Sequence, residues 1–166
     1  MDRVRETLFN WLQSEIIGAR CLDLFTGSGA LGLEALSRQA GEVVMIDKNR
    51  HAIQMIQKNL DLLGADNAQL LHMDARDYLG SLQEAKGSLS GAEAKTFDIV
   101  FLDPPFNKQL LAPFCRLLDE ANCLSEQAII YIEMEKKADL PELPQNWAVR
   151  KEKKAGQLAY YLVTTS

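Results

Sequence analysis

Four apolar runs, each with an aspartate at or near its C-terminal end, constrain the fold of this chain more than any other feature. They are Cys21-Leu22-Asp23-Leu24-Phe25, Val43-Val44-Met45-Ile46 before Asp47, Ala68-Gln69-Leu70-Leu71-His72-Met73 before Asp74, and Phe97-Asp98-Ile99-Val100-Phe101-Leu102 before Asp103. Short apolar runs of this kind read as buried strands, and the segments between them carry helical periodicity. Leu31, Leu33, Ala35 and Leu36 follow a glycine cluster, Ile53, Ile56, Leu60 and Leu63 form a face that Gly64 can terminate, and further helices are expected from Ala75 to about Ala85 and from Leu110 to about Ala121. A fifth strand is expected at Ala128–Ile132. Strands alternating with helices require a parallel sheet covered on both faces, the doubly wound α/β class.

The two ends depart from that alternation. Asp2 can cap an opening amphipathic helix carrying Val4, Leu8, Leu12 and Ile16, with Phe9 and Trp11 widening the stripe. Near the other end, Trp147–Glu152 and Leu158–Val163 read as two strands joined by Lys153-Lys154-Ala155-Gly156-Gln157, so a mostly parallel, seven-stranded sheet should finish in an antiparallel hairpin. The small, polar stretch from Gly87 to Lys95 reads as a surface loop. The 166 residues suit one core, and a single domain over 1–166 is expected.

Charge and cysteine content exclude several functions. With 18 basic and 23 acidic residues the net charge is −5, so nothing draws a polyanion to the whole surface and any nucleic-acid binding must be local. The basic spots are Arg3 with Arg5, Lys136 with Lys137, and Lys151 with Lys153 and Lys154; such clusters are ordinarily just solvated surface. Cys21, Cys115 and Cys123 are odd in number and lack Cys-x-x-Cys spacing, which suggests buried thiols rather than disulfides or a zinc site. His51 and His72 lack partners by spacing and are assigned to structure. No metal is expected. No apolar stretch approaches the roughly 20 residues of a membrane span, and the first residues lack the apolar core of a signal peptide. A soluble, cytoplasmic monomer is expected.

Gly27-Ser28-Gly29-Ala30-Leu31-Gly32 fits G-x-G-x-x-G, with Asp47 following at the end of the next strand as in a dinucleotide fingerprint. In a dinucleotide site, however, the turn approaches a pyrophosphate, and a carboxylate beside it would repel the ligand. Asp23 lies just before this turn. S-Adenosylmethionine inverts the logic, because it has no phosphate and carries an ammonium and a sulfonium, both attracted by that carboxylate. Asp47 can then accept hydrogen bonds from ribose hydroxyls, and Asp74 from the adenine amino group. Each acid could instead be a helix cap or solvated turn; three of them on consecutive strands argue jointly for a ligand site.

Asp103-Pro104-Pro105-Phe106 leaves the fourth strand as a stiff turn, since proline cannot continue a central strand and restricts the residue before it. The fourth strand should lie beside the first, so this turn would face the methyl end of the cofactor. The Asp103 carboxylate and the Pro104 carbonyl can accept hydrogen bonds from an exocyclic amine and direct its lone pair at the methyl group. Phe106 can stack on the base. A negative Asp103 would also stabilise the transient cation formed on nitrogen.

On these residues the chain resembles class I S-adenosylmethionine-dependent methyltransferases with a Rossmann-like sheet. More closely it resembles the RsmD family of small-subunit rRNA guanine-N2 methyltransferases. Asp2 to Leu12, Leu22 to Gly32, Asp103 to Phe106 and Lys153 to Tyr161 carry the likeness. The resemblance implies that Asp23, Phe25, Gly27, Ser28, Gly29, Asp47, Lys48, Asp74 and Ala75 bind the cofactor. It places Asp103, Pro104 and Phe106 at the reacting amine, and Arg3, Arg5 and Pro105 near the RNA. The implied substrate is 16S rRNA in the small ribosomal subunit or its assembly intermediate. Family members usually carry a basic arm before the Asp-Arg-Val-Arg block, which here starts at residue 2, so intact cofactor binding with weak RNA methylation is expected. The alternatives are a DNA adenine-N6 methyltransferase, whose base offers a similar amine, a non-catalytic RNA-binding or assembly factor, and, disfavoured by Asp23, a nicotinamide oxidoreductase.

Overall fold

The computed structural model describes residues 2–86, 95–106 and 109–166, apart from the side chains of Asp2 and Lys86. The elements are α1 (Asp2–Trp11), β1 (Arg20–Asp23), α2 (Ala30–Ser37), β2 (Glu42–Asp47), α3 (Arg50–Leu63), β3 (Ala68–His72), α4 (Ala75–Lys86), β4 (Phe97–Leu102), α5 (Leu111–Ala121), β5 (Leu124–Glu135), β6 (Trp147–Ala155) and β7 (Leu158–Thr165). The strands form one seven-stranded sheet in the order β3-β2-β1-β4-β5-β7-β6. The first five strands pair in parallel, while β7 runs antiparallel to both β5 and β6.

Successive strand residues point to opposite faces, and the two cores follow that parity. Leu22, Val44, Val100 and Ile130 pack on one face beneath Tyr78 and Leu79 of α4 and Phe114 and Leu118 of α5. Cys21, Val43, Ile99 and Tyr131 pack on the other beneath Leu8 and Phe9 of α1, Ala35 of α2 and Ile56 of α3. Each fully buried Leu, Ile or Phe contributes roughly 1.5–3 kcal/mol of transfer free energy. The expected doubly wound sheet is therefore present, with helices on both faces. Because β1 has β2 on one side and β4 on the other, the strand order reverses direction there and opens a crevice at the strands' carboxyl ends.

Several boundaries differ from the sequence reading. Helix α1 stops at Trp11 rather than reaching Ile16; the chain continues through turns in which Glu15 and Ile16 N–H groups both reach the Leu12 carbonyl. Strand β1 ends at Asp23 because the chain bends over β2, where Thr26 N–H donates to the Ile46 carbonyl at 3.0 Å. Strand β5 runs well past Ile132, to Glu135. The closing hairpin sits at the edge as expected, joined to β5 through its second strand: β7 lies between β5 and β6, and Lys153 and Lys154 belong to strand β6 rather than to the connection. That strand is exposed almost throughout, so it carries little of the alternation that marks half-buried strands. The capping role of Asp2 and the loop expected at Gly87–Lys95, save Lys95 itself, lie outside the described residues.

The three cysteines are free and buried, and burial pushes the Cys21 and Cys115 thiols up to about 12. Among the described residues no helix is long and apolar enough to cross a membrane.

Helix α2 sits so close to β2 that a Cβ on Gly32 would collide with the Met45 side chain and come within 3.3 Å of Asp23 Oδ2. Met45 is itself wholly buried and has little room to yield. Gly32→Ala should lower the unfolding free energy by about 1–3 kcal/mol, the usual cost of overpacking, as read from the midpoint of urea denaturation. An unchanged midpoint would contradict this close packing.

Candidate active site

Asp23 closes β1 and is almost completely buried. Its Oδ2 accepts from the Thr26 hydroxyl at 2.8 Å and from the Gly32 N–H at 3.2 Å, which fastens the strand to the first turn of α2. Between them the chain reverses through Gly27 and Gly29, whose φ of 56° and 84° suit glycine. Asp47, at the end of β2, accepts from Gly27 N–H at 2.9 Å through Oδ2 and from Asn49 N–H at 2.8 Å through Oδ1. Asp74 precedes α4 and accepts from Arg76 N–H at 2.7 Å, as a capping side chain does. Each carboxylate oxygen has two lone pairs, so both acids keep acceptor capacity for a ligand.

Asp103 leaves β4 one step beyond the Leu102–Ile132 register pair, which sets it beside Glu133 of β5. The two carboxyl groups lie close enough to interact, and the Tyr131 hydroxyl donates to Glu133 Oε1 at 2.7 Å. Pro104 is buried, while Pro105 and Phe106 are exposed beyond it, Phe106 to 40%.

These groups surround one cavity of about 810 Å3. It is lined by the expected Asp23, Phe25, Gly27, Ser28, Asp47, Lys48, Asp74 and Ala75, and on the opposite wall by Asp103, Pro104, Pro105 and Phe106. Three expected residues stand apart. Gly29 is buried and shapes the turn without lining the cavity. Arg3 lines a separate groove, and Arg5, 3.7 Å from Glu34 Oε1, lines a small notch shared with Asp103 and Glu133. His51 is exposed on α3, and His72 Nε2 lies 3.0 Å from the Lys48 carbonyl oxygen.

Glu133, Thr26 and Phe114 are additions to the residues found from sequence. Phe114 meets Phe25 edge-on, with ring centroids 4.9 Å apart. Glu133 bears the same signal as Asp47, Asp74 and Asp103, an acid directly after an apolar run.

The electrostatics favour a cationic ligand. Burial pushes Asp23 up to about 6 against the pull of its two donors, and Asp47 adds repulsion. Asp103 is pushed up to about 8, by burial first, then by the charge of Glu133 and the hydrogen bond shared with it, with Asp23 contributing. Like-charged carboxyl groups in contact resist joint ionisation, and a nearby cation relieves that resistance. A sulfonium and an ammonium therefore suit this donor set, whereas a pyrophosphate does not.

An open sheet ending in a reversed strand pair, with acids under a glycine turn at its switch point, defines a class I S-adenosylmethionine-dependent methyltransferase. The same fold occurs in the S-adenosylmethionine-dependent methyltransferase of Agrobacterium tumefaciens, which is 22% identical with a TM-score of 0.64, covering 81% of this chain and 45% of that one. The chain belongs to the family described as conserved hypothetical protein 95, whose model matches residues 1–164, and this bears out the resemblance to RsmD proteins. It is 46% identical to the Ribosomal RNA small subunit methyltransferase D of Escherichia coli K12 over 161 residues, 97% of this chain and 76% of that protein. The solved yhhF protein of Escherichia coli is 44% identical with a TM-score of 0.88, covering 99% of this chain and 86% of that one.

Asp103 accepts hydrogen bonds from an amine best when ionised, so its raised pKa has a kinetic signature. In the free enzyme kcat/KM for methyl transfer should rise with pH through a limb near 8. Glu133→Gln removes the repelling charge and should move that limb to lower pH. A limb that stays in place in the variant would show that Glu133 does not set it. Ionisation opposed by the fold also means that the stability contributed by protonated Asp103 is full below the ordinary carboxylate range and is lost as pH rises through about 8.

Proposed function

We propose that this protein transfers a methyl group to the exocyclic N2 amine of a guanine in the 16S rRNA of the small ribosomal subunit, or of its assembly intermediate. The observation that carries the reading is the Asp103-Pro104-Pro105-Phe106 turn, poised across the same cavity from Asp23 and the glycine turn. The rRNA substrate is supported by family membership and by the names of relatives as similar as 46%. Guanine N2 follows from the resemblance of the first helix and the closing strands to that family's blocks.

In this reading Asp23 faces the ammonium of the cofactor, Asp47 accepts from its ribose hydroxyls, and Asp74 accepts from its adenine amino group. S-Adenosylmethionine supplies, when bound, a methyl group on a positively charged sulfur. The chain's own residues do the rest by position and charge. Asp103 and the Pro104 carbonyl accept the two N–H bonds of the amine and turn its lone pair toward the methyl donor, while the exposed ring of Phe106 stacks on the base. As the nitrogen becomes cationic, the charge of the partly buried Asp103–Glu133 pair stabilises it. A cytoplasmic site of action goes with a ribosomal substrate.

Asp103→Ala should keep cofactor affinity within a few-fold by isothermal titration and lose turnover by about two orders of magnitude or more. Turnover at the wild-type level would overturn the mechanism. Incubation with methyl-labelled cofactor and unmodified small subunits, naked rRNA or DNA, followed by nucleoside analysis, should give label in N2-methylguanosine from the subunits. Label in N6-methyladenine from a DNA duplex would replace this reading with the DNA enzyme.

A further inference from the structure

Beyond the active-site cavity lie two further surface depressions, and their charges differ. One, of about 610 Å3, reaches the cavity past Pro104, Pro105, Phe106 and Glu133. Its described charged residues are Glu133, Glu135, Asp139 and Lys137, and the Lys137 ammonium already lies 3.8 Å from Glu135. This depression repels a polyanion. The other, of about 520 Å3, lies between α1 and the β6–β7 turn. Arg3, Lys153 and Lys154 line it, its floor includes Val4, Leu158 and Tyr160, and no carboxylate is among its described lining residues.

The basic groove is connected to the chemistry. A notch of about 140 Å3 shares Val4 and Leu158 with the groove and Ala30, Leu31, Asp103 and Glu133 with the main cavity. Arg5 lines this notch. The notch thus shares walls with the groove of three cationic side chains on one side and with the Asp103 turn on the other. Lysines on an edge strand such as β6 ordinarily serve to block strand pairing with another chain. Lys153 and Lys154 differ in sharing a concavity with Arg3, which comes from the opposite end of the sequence. Lys151 shares the face of Lys153 but lies outside the groove, with its ammonium 5.8 Å from the centre of the Trp11 ring.

We propose that the groove between α1 and the β6–β7 turn seats the RNA backbone, with Arg3, Lys153 and Lys154 holding its phosphates and the notch beside Arg5 delivering the target base to Asp103. The assignment rests on the RNA methylation reading above and adds which face of the enzyme meets the substrate. It also reconciles a net charge of −5 with an anionic substrate, because the attraction is confined to one groove.

The test pairs Lys153→Glu/Lys154→Glu with Lys137→Glu in the acidic depression. Fluorescence anisotropy of a labelled single-stranded RNA across a KCl series reads the groove, and tritium transfer to small subunits reads the reaction. The double variant should bind the RNA at least about tenfold more weakly, with the salt slope reduced by roughly 1.4, or about 0.7 for each phosphate that is no longer neutralised. Its KM for small subunits should rise while its affinity for S-adenosylmethionine, by isothermal titration, stays unchanged. Lys137→Glu should match wild type throughout. Wild-type RNA affinity in the double variant, weakened affinity in Lys137→Glu instead, or no RNA binding by the wild-type protein would each overturn the groove. RNA bound through the groove with no label in any small-subunit preparation would leave the groove standing and overturn the proposed reaction.

Discussion

Asp23 holds the end of β1, the hydroxyl of Thr26 and the first turn of α2 together with one carboxylate oxygen. The rest of the site depends on that contact. It places the glycine turn over the crevice, requires a residue without Cβ at position 32, and leaves a carboxyl group with almost no access to water. A charge so placed is costly until something positive arrives. The fold therefore carries an electrostatic deficit at the point where a cationic cofactor would relieve it.

The far wall of the cavity repeats this design. Asp103 and Glu133 stand at the ends of neighbouring parallel strands, where each resists the other's ionisation, and Asp23 adds to the repulsion that Asp103 feels. Ionisation on one wall is thus coupled to charge on the other, and a cation between them would favour the ionised form of both. Charge on one of these carboxyl groups is felt by the others through the field inside a single cavity.

Much of this was legible in the sequence because β1, β2 and β4 are covered on both faces and read as apolar runs, interrupted in β4 by the exposed Asp98, with an acid at or just past the end. The same rule located Asp23, Asp47, Asp74 and Asp103. It applies to Glu133 as well, directly after Ile132, whereas the continuation of β5 to Glu135 to pair with β7 leaves no local mark. The length of β6 was hidden for a different reason: an exposed edge strand has little hydrophobic pattern to detect. Arg3 and Arg5 were identified by resemblance, but their separation into a groove and a notch depends on where β7 brings Leu158, which spacing along the chain does not reveal.

The position of β7 inside the sheet has a consequence for synthesis. A chain emerging from the ribosome folds from its N-terminal side as residues become available, and β5 is complete well before β7 exists. Until then the apolar edge of β5 has no partner, which is the situation that invites aggregation. The ring of Tyr160, carried by β7, lies 5.5 Å from Trp11 of the opening helix, and Leu158 closes the notch beside Asp103. The first helix and the seventh strand thus form one wall, and a nascent chain completes that wall only after the strand has been made.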